Sequence, residues 1–221
     1  MERHFGYGIA RAYGRGPTAV VAVHGISRTI AEGARIAVTG PSGCGKSTLL
    51  HLMAGVETPT TGTVEWPGLS AAPPDPIQVG LVFQTPNLLV DLDVTENVAL
   101  PLLLSGVPVA RAAGRTRHTL ASLGIDGLAD ALPEELSGGQ AHRVAIARAV
   151  VALPRLIVAD EPTGQLDHDT AQTVISVLDD LADTVGAALV IATHDETVAA
   201  WMLTRWVMHD GALATEREPV R

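Results

Sequence analysis

The stretch GPSGCGKST, residues 40–48, decides the fold of this chain. It fills every fixed position of the pattern G-x-x-x-x-G-K-[ST]. It follows a short apolar strand pattern at residues 36–39 and precedes an apolar helical pattern at residues 48–53. In that context the glycines let consecutive backbone N–H groups turn inward around an anion, and the helix start adds positive partial charge. We therefore expect a phosphate-binding loop in an α/β domain.

Lys46 is the single lysine among 15 Lys and Arg residues. We predict that its compact charge lies against the β- and γ-phosphates of a nucleotide and that the Ser47 hydroxyl is a ligand of Mg²⁺. Cys44 occupies a variable position of the pattern and is interpreted as tolerated rather than reactive. The candidate ATP-binding residues of the loop are Gly40, Pro41, Ser42, Gly43, Cys44, Gly45, Lys46, Ser47 and Thr48.

Composition excludes several classes of protein. With 221 residues, 47% of them hydrophobic and 18% charged, the chain can bury one ordinary core and is not disordered. One cysteine cannot form an internal disulfide framework. A net charge of −9 disfavours binding to nucleic acid phosphates. No apolar run reaches membrane-spanning length, so a cytoplasmic location is expected, and a mean hydropathy of +0.25 suggests surface covered by a partner.

Apolar periodicity predicts alternating strands and helices, hence a mostly parallel sheet covered on both faces. The proline-rich residues 66–78 are expected to form a loop. Helical spacing from 95 to 131 is expected to break at Gly106, Gly114 and Gly124. The predicted strands are residues 19–23, 35–39, 63–66, 79–83, 156–159, 188–192 and, as the last, 205–208. The other predicted helices are residues 144–151 and 170–184.

Two carboxylates end one of these strands. Residues 156–161 read LIVADE, an apolar strand followed by Asp160 and Glu161, whose side chains project differently because side chains alternate along a strand. Behind a phosphate loop, Asp160 is expected to hold Mg²⁺ through water. Glu161 is expected to orient or deprotonate the water that attacks the γ-phosphate.

A second glycine-rich helix start is the LSGGQ segment, made of Leu136, Ser137, Gly138, Gly139 and Gln140. Ser137 is a natural N-cap, and the glycines permit close backbone approach to an anion. One nucleotide does not need two such loops that lie far apart in the same subunit. The economical geometry is a head-to-tail dimer in which each ATP lies between the phosphate loop of one copy and the LSGGQ of the other.

Together these ordered motifs resemble the ATP-binding subunit of ATP-binding cassette (ABC) transporters over nearly the whole chain. Residues 40–48 match the family's Walker A motif, 156–162 its Walker B motif and 136–140 its signature. The resemblance implies a P-loop NTPase core sheet with a small antiparallel β-subdomain (residues 1–85 and 151–221) and an inserted helical subdomain (residues 86–150).

The resemblance also implies roles for isolated residues. Gln84 matches the Q-loop that senses the γ-phosphate and Mg²⁺, His194 matches the switch histidine that meets the γ-phosphate, and Asp167 matches the D-loop of dimer crosstalk. Tyr13 resembles the aromatic residue that stacks on adenine, although Tyr7 and Phe5 could fill that role. His142, with Ala141, replaces the basic or amide pair that usually follows the signature.

The function implied is ATP hydrolysis with Mg²⁺ by a homodimer that drives a separately encoded membrane permease. Phrases such as residues 87–102 resemble the lipoprotein-releasing, macrolide-export and cell-division types, so an export or extrusion role is expected. The alternative is a cell-division cassette that signals through a membrane partner without cargo. The apolar residues 85–104 are either the docking surface for that partner or the core of the helical lobe. A DNA-repair cassette lacks support because no long coiled coil separates the motifs, and LSGGQ argues against a simple kinase.

Overall fold

Two sheets and six helices make up the part of the chain that the structure, a computed structural model, describes: residues 4–69 and 72–217. The strands are β1 His4–Tyr13, β2 Val20–Thr29, β3 Arg35–Thr39, β4 Thr61–Val64, β5 Val79–Val82, β6 Leu156–Asp160, β7 Ala188–Ala192, β8 Thr204–His209 and β9 Ala212–Arg217. The helices are α1 Lys46–Met53, α2 Val94–Leu104, α3 Val109–Ser122, α4 Gly138–Val150, α5 His168–Val185 and α6 Glu196–Ala200.

The larger sheet has the strand order β5-β6-β7-β3-β8-β9. Strand β3 pairs in parallel with β7 and β8, while β9 runs antiparallel to β8. Every residue of β3, β6 and β7 is buried, as expected for central strands covered on both faces. The predicted mostly parallel sheet is therefore confirmed. The smaller sheet is antiparallel, with order β2-β1-β4.

The chain divides into two compact units. The first comprises Met1–Asp75, Val158–Asp160 and Ala188–Arg221, and the second comprises Pro76–Ile157 and Glu161–Ala187. The predicted subdomain bounds at residues 86 and 150 stay a prediction. None of the described helices is long and apolar enough to cross a membrane.

Helices α2, α3 and α4 pack together in the second unit. Asp93 begins α2 with a capping box, in which its side chain accepts from the Glu96 N–H while the Glu96 carboxylate accepts from the Asp93 N–H. The predicted breaks at Gly106 and Gly124 fall outside the helices, but the one at Gly114 is wrong. Gly114 lies inside α3, where neighbouring alanines and arginines sustain the helix against a glycine cost of about 1 kcal/mol.

The strand predictions differ from the structure in four places, one of which is β4, at Thr61–Val64 rather than residues 63–66. Strand β1 was not predicted, because HFGYGIARAY has no clear alternation and its pairing with β2 and β4 contains register shifts. Strand β2 runs on to Thr29, through residues expected to be a connection. Residues 205–208 are not in the last strand, because β9 follows through Asp210 and Gly211, whose φ angles of 46° and 82° suit an Asp-Gly hairpin turn.

Candidate active site

The phosphate loop connects the buried end of β3 to the start of α1. Gly40 and Gly45 have φ angles of 151° and 103°, in the region that favours glycine. A Cβ at Gly40 would overlap the backbone oxygen of Met208, and one at Gly45 would overlap that of Ala22. The loop is thus held tightly between β8 and β2, and no other residue fits either position.

Lys46 folds over this loop, since its Nζ donates to the carbonyl oxygens of Gly40 at 2.8 Å and Pro41 at 3.0 Å. Gly45, the N-cap of α1, offers no side chain to the N–H groups of the first helical turn. Ser47 and Thr48 follow in that turn, half-buried. The loop therefore combines an ammonium group, helix-start N–H groups and two hydroxyls, which together suit a polyphosphate and its cation.

The two carboxylates at the acidic strand end differ in burial, and the expected alternation along one strand does not apply to them because β6 ends at Asp160. Asp160, the last residue of β6, is 4% exposed, whereas Glu161 is half-buried. Glu161 has a φ angle of 49°, a left-handed conformation that is rare for a residue with a side chain. The Gly164 N–H donates to the Glu161 carbonyl at 3.1 Å and closes the turn. Backbone conformation of this kind clusters at functional positions.

His194 follows β7 at the same edge of the sheet as the phosphate loop. Ala192 is level with Val38 in the parallel pairing, and the Thr193 N–H donates to the Val38 carbonyl at 3.1 Å. Asp195 caps α6 by accepting from the Thr197 N–H at 2.7 Å, and this bond lowers the pKa of the Asp195 carboxyl. His194 is exposed and lies just beyond β7, between Thr193 and Asp195, both of which are held by hydrogen bonds.

The LSGGQ segment starts α4 as predicted, with Ser137 as N-cap. The Ser137 Oγ accepts from the Gln140 N–H at 3.3 Å, and the Gln140 Oε1 accepts from the Ser137 N–H at 2.8 Å. A Cβ at Gly138 would lie 3.3 Å from Gln165 Oε1, and one at Gly139 would lie 3.3 Å from Leu166 Cδ2. The two glycines therefore let the start of α4 pack closely against residues 165–166, a reason for glycine that sequence reasoning missed.

Asp167 follows directly as the N-cap of α5. Its two oxygens accept from the Thr170 N–H at 3.0 Å and from the Thr170 hydroxyl at 2.7 Å. These bonds lower the pKa of the Asp167 carboxyl, so the exposed group stays ionised at neutral pH. Its carboxylate has a structural task in addition to the crosstalk role that the sequence predicts.

Tyr13 ends β1 beside the strand that supports the phosphate loop. Tyr13 pairs with Val20 of β2, which is 65% exposed, and Ala12 pairs with Val21. The next residue of β2, Ala22, packs its carbonyl against Gly45 of the phosphate loop. Tyr7 lies six residues away, about 20 Å along an extended strand. Position therefore favours Tyr13 over Tyr7, and the Phe5 side chain lies outside what the structure describes.

Comparisons with known proteins agree with this geometry. A family model described as ABC transporter matches residues 23–164. A solved dimeric structure of a post-hydrolysis state of the ATP-binding cassette MJ0796, bound to ADP and Pi, is 31% identical with a TM-score of 0.90, and the match covers 99% of this chain and 98% of that one. The dimeric structure of MJ0796, a bacterial ABC transporter cassette, is 31% identical with a TM-score of 0.88 and the same coverage.

The chain belongs to the ABC transporter family. It is an ATPase cassette of that family, and its α/β fold is the one that the motifs predicted. The family assignment rests on most of the chain rather than on the phosphate loop alone.

In this cassette the loop after Gln84 is fastened to the signature helix. Gln84 is exposed two residues beyond β5, and the guanidinium of Arg148 in α4 donates to the carbonyls of Pro86 and Asn87, each at 3.0 Å. Burial lowers the pKa of Arg148. Sequence reasoning missed Arg148, because nothing in a helical AHRVAIARAV indicates that one arginine bonds to carbonyls more than sixty residues away.

Asn97 is the second residue that sequence reasoning missed. Fully buried in α2, it donates to the carbonyls of Leu89 at 3.0 Å, Leu92 at 2.8 Å and Asp93 at 3.1 Å, and accepts from the Leu89 N–H at 2.9 Å. One side chain thus holds the turn that leads into α2. A buried amide with all these bonds satisfied specifies a single loop conformation.

The apolar stretch 85–104 contains both buried and exposed side chains. Some side chains enter the core of the second unit, namely Val94, Val98, Ala99 and Leu102. Others are 41% to 79% exposed, namely Leu89, Val90, Leu103 and Leu104. The stretch is therefore partly core and partly open surface.

Proposed function

We propose that this ABC cassette binds ATP with Mg²⁺ at its phosphate loop, hydrolyses it and couples the cycle to a membrane permease encoded separately. The observation that carries the nucleotide assignment is the loop itself: glycines that no other residue can replace, a lysine folded over them and an uncapped helix start. The 31% identical cassette bound to ADP and Pi supports the same ligand class.

The residues fit a nucleotide and its cation. The phosphate loop, residues 40–48, would surround the β- and γ-phosphates. Lys46 would give up its hydrogen bonds to two loop carbonyls and donate to phosphate oxygens instead. Ser47, Asp160 and Gln84 offer the hydroxyl, carboxylate and amide oxygens that Mg²⁺ prefers. A Mg²⁺ ion held by these residues would supply positive charge that offsets the charge developing on the phosphates.

Glu161 is assigned as the general base or orienting group for the attacking water. Its left-handed backbone differs from the strand conformation of Asp160, and the proposal assigns Asp160 to the cation and Glu161 to the water. His194 is assigned to the γ-phosphate, because the parallel pairing of β7 with β3 carries it to the edge where the phosphate loop begins. Gln84 is assigned to sensing the γ-phosphate and Mg²⁺.

Two copies are proposed to close head to tail on two ATP molecules. Ser137, Gly138 and the other LSGGQ residues would approach the triphosphate held by the partner's phosphate loop, and Asp167 would report across the interface. Dimeric structures of a related cassette support pairing of two copies. The capping box of Ser137 and Gln140 fixes the backbone at the start of α4, the end that would meet the partner's nucleotide.

Coupling to the permease is assigned to the exposed part of residues 85–104. Leu89, Val90 and Leu104 form apolar surface on the same unit as Gln84 and the signature helix, which suits an apolar cytoplasmic helix of a membrane partner. Such docking would hold the cassette at the inner face of the membrane. The lipoprotein-releasing or macrolide-export type is the proposed subgroup, on the phrases quoted from the sequence.

The test is the variant Glu161→Gln, which keeps the size of the side chain and removes its basicity. ATP binding is expected to stay within about twofold, since removing a proton acceptor costs little ground-state affinity. Turnover is expected to fall by at least about a hundredfold, so that an ATP-bound dimer accumulates on size-exclusion chromatography with light scattering.

Glu65→Gln is the matched control, because Glu65 is an exposed glutamate of the first unit outside the site. This control variant should hydrolyse ATP at the normal rate and show no lasting dimer. Full turnover by the Glu161→Gln monomer would refute the assignment.

A further inference from the structure

Arg11, Tyr13 and Glu57 form a stacked and ion-paired cluster at the end of β1. Arg11 and Tyr13 are two residues apart on one strand, so their side chains share a face of the sheet. The Arg11 guanidinium carbon lies 4.8 Å from the centroid of the Tyr13 ring. Its Nη2 lies 2.6 Å from the Glu57 Oε2, and both charged side chains are only about a quarter exposed, at 24% and 26%.

The Arg11 guanidinium is held at one end and by the ring. Its Nη2 is ion-paired with Glu57, whereas Arg11 Nε is buried and has no hydrogen-bond partner among the described residues. Glu57 is itself held near the end of α1, since its N–H donates to the His51 carbonyl at 3.2 Å. The anchor of Arg11 is therefore continuous with the helix that starts at the phosphate loop.

Part of the Tyr13 surface remains open to a ligand. With Arg11 over one face, the tyrosine remains 38% exposed, and its cross-strand neighbour Val20 is 65% exposed. A cation on one face of a phenol attracts π density to that face, and an electron-rich ring can then stack more favourably on the other. A purine is such a ring.

We propose that Arg11, clamped by Glu57, is a positioning residue that holds Tyr13 ready to stack on the nucleotide base. The inference rests on the proposed function, in which adenine meets Tyr13. Arg11 acts on the base alone and leaves the triphosphate to the phosphate loop. It contributes to the preference for a purine nucleotide over the same phosphates without a base.

The test compares ATP with inorganic tripolyphosphate, which carries the phosphates and no base, as ligands of the full chain in calorimetry with Mg²⁺. Arg11→Gln is expected to weaken ATP binding about threefold to tenfold, the range expected for one partly buried cation–π contact, and to leave tripolyphosphate binding unchanged. Glu57→Gln should weaken ATP in the same direction. The double variant should weaken it no more than Arg11→Gln alone, because both changes break one cluster.

Arg15→Gln is the matched control, since Arg15 is an exposed arginine two residues beyond Tyr13 on the other side. It should change ATP and tripolyphosphate binding by equal factors. Unchanged ATP affinity in Arg11→Gln, or an equal loss for both ligands, would overturn the positioning role. Tyr13→Ala separates the two levels of inference: if it leaves ATP binding intact, the adenine assignment itself fails, whereas an ATP-specific loss in Tyr13→Ala without one in Arg11→Gln defeats only the role of Arg11.

Discussion

His142, in the second turn of the signature helix, is fully buried, and neither ring nitrogen has a hydrogen-bond partner among the described residues. Burial lowers the pKa of the imidazole from its ordinary 6.5, because the charged ring would lose its hydration. The folded chain therefore keeps His142 neutral at pH values where the unfolded chain protonates it. Stability is consequently lost as the pH falls below 6.5 and is unaffected by this residue above that value.

Replacing His142 with leucine, which has a similar volume, should remove two unsatisfied polar atoms from the core. We expect His142→Leu to raise the free energy of unfolding by about 1–2 kcal/mol at pH 7. The loss of stability between pH 7 and pH 5 should also become shallower. Urea denaturation at both pH values measures each effect.

His118→Gln is the comparison for that experiment, since His118 is exposed on α3. The changes that it causes in the free energy of unfolding at pH 7, and in the pH dependence of that free energy, should be much smaller than those caused by His142→Leu. A His142→Leu variant that is less stable than the natural chain at both pH values would show that the imidazole has a partner that leucine cannot replace.

At the scale of elements, two arginines of α4 hold two different loops. Arg148 bonds to the carbonyls of residues 86 and 87, and Arg143 donates to those of Leu123 at 3.2 Å and Gly124 at 3.4 Å. The signature helix thus fixes both the segment after Gln84 and the end of α3. A displacement of α4 would carry both loops with it.

This fastening can be tested by amide hydrogen exchange. Arg148→Gln should raise exchange at residues 85–90 by about tenfold, because two charge-assisted bonds are lost there, while exchange at residues 123–126 stays as it was. Arg143→Gln, on the same helix, should give the reverse pattern. Equal exchange at both loops in both variants would contradict the separate roles.

Elements with one strong local signal could be predicted from sequence, and elements defined by distant partners could not. Strands β3, β6 and β7 are short runs of mainly apolar residues. The Ser137 cap depends only on residues next to it in the sequence. Strand β1 has no such signal, because its pairing with β2 and its pairing with β4 both contain register shifts, which interrupt the alternation of apolar and polar residues. The same limit applies to the site: the loop glycines were readable, whereas the bonds of Arg148 and Arg11 join residues far apart in sequence.

At the scale of the whole molecule, the proposed head-to-tail dimer predicts that two different inactive variants can restore each other's activity. Lys46→Ala should abolish nucleotide binding at its own phosphate loop. Ser137→Asp keeps a good N-cap on α4, while its carboxylate would repel the triphosphate held by the partner. Each variant alone should be inactive.

Mixing the two variants in equal amounts should restore ATP hydrolysis. Half of randomly paired dimers carry one intact composite site, Lys46 from one copy and Ser137 from the other, so activity should return to about a quarter of the natural value. Steady-state phosphate release after mixing measures this. Zero recovery, with mixed dimers demonstrated by differential tagging, would contradict hydrolysis at a single composite site.

At the left-handed turn of Glu161, folding stability and catalytic activity make opposite demands on the residue. An ordinary side chain in that conformation costs about 1–2 kcal/mol relative to glycine, a sizeable share of the margin that keeps a domain folded. In relatives that no longer need to hydrolyse ATP, glycine or asparagine is expected at this position. Those relatives would gain folding stability as they lost activity. Under the proposed role of Glu161 in activating water, the backbone strain at this turn is kept because hydrolysis needs the carboxylate there.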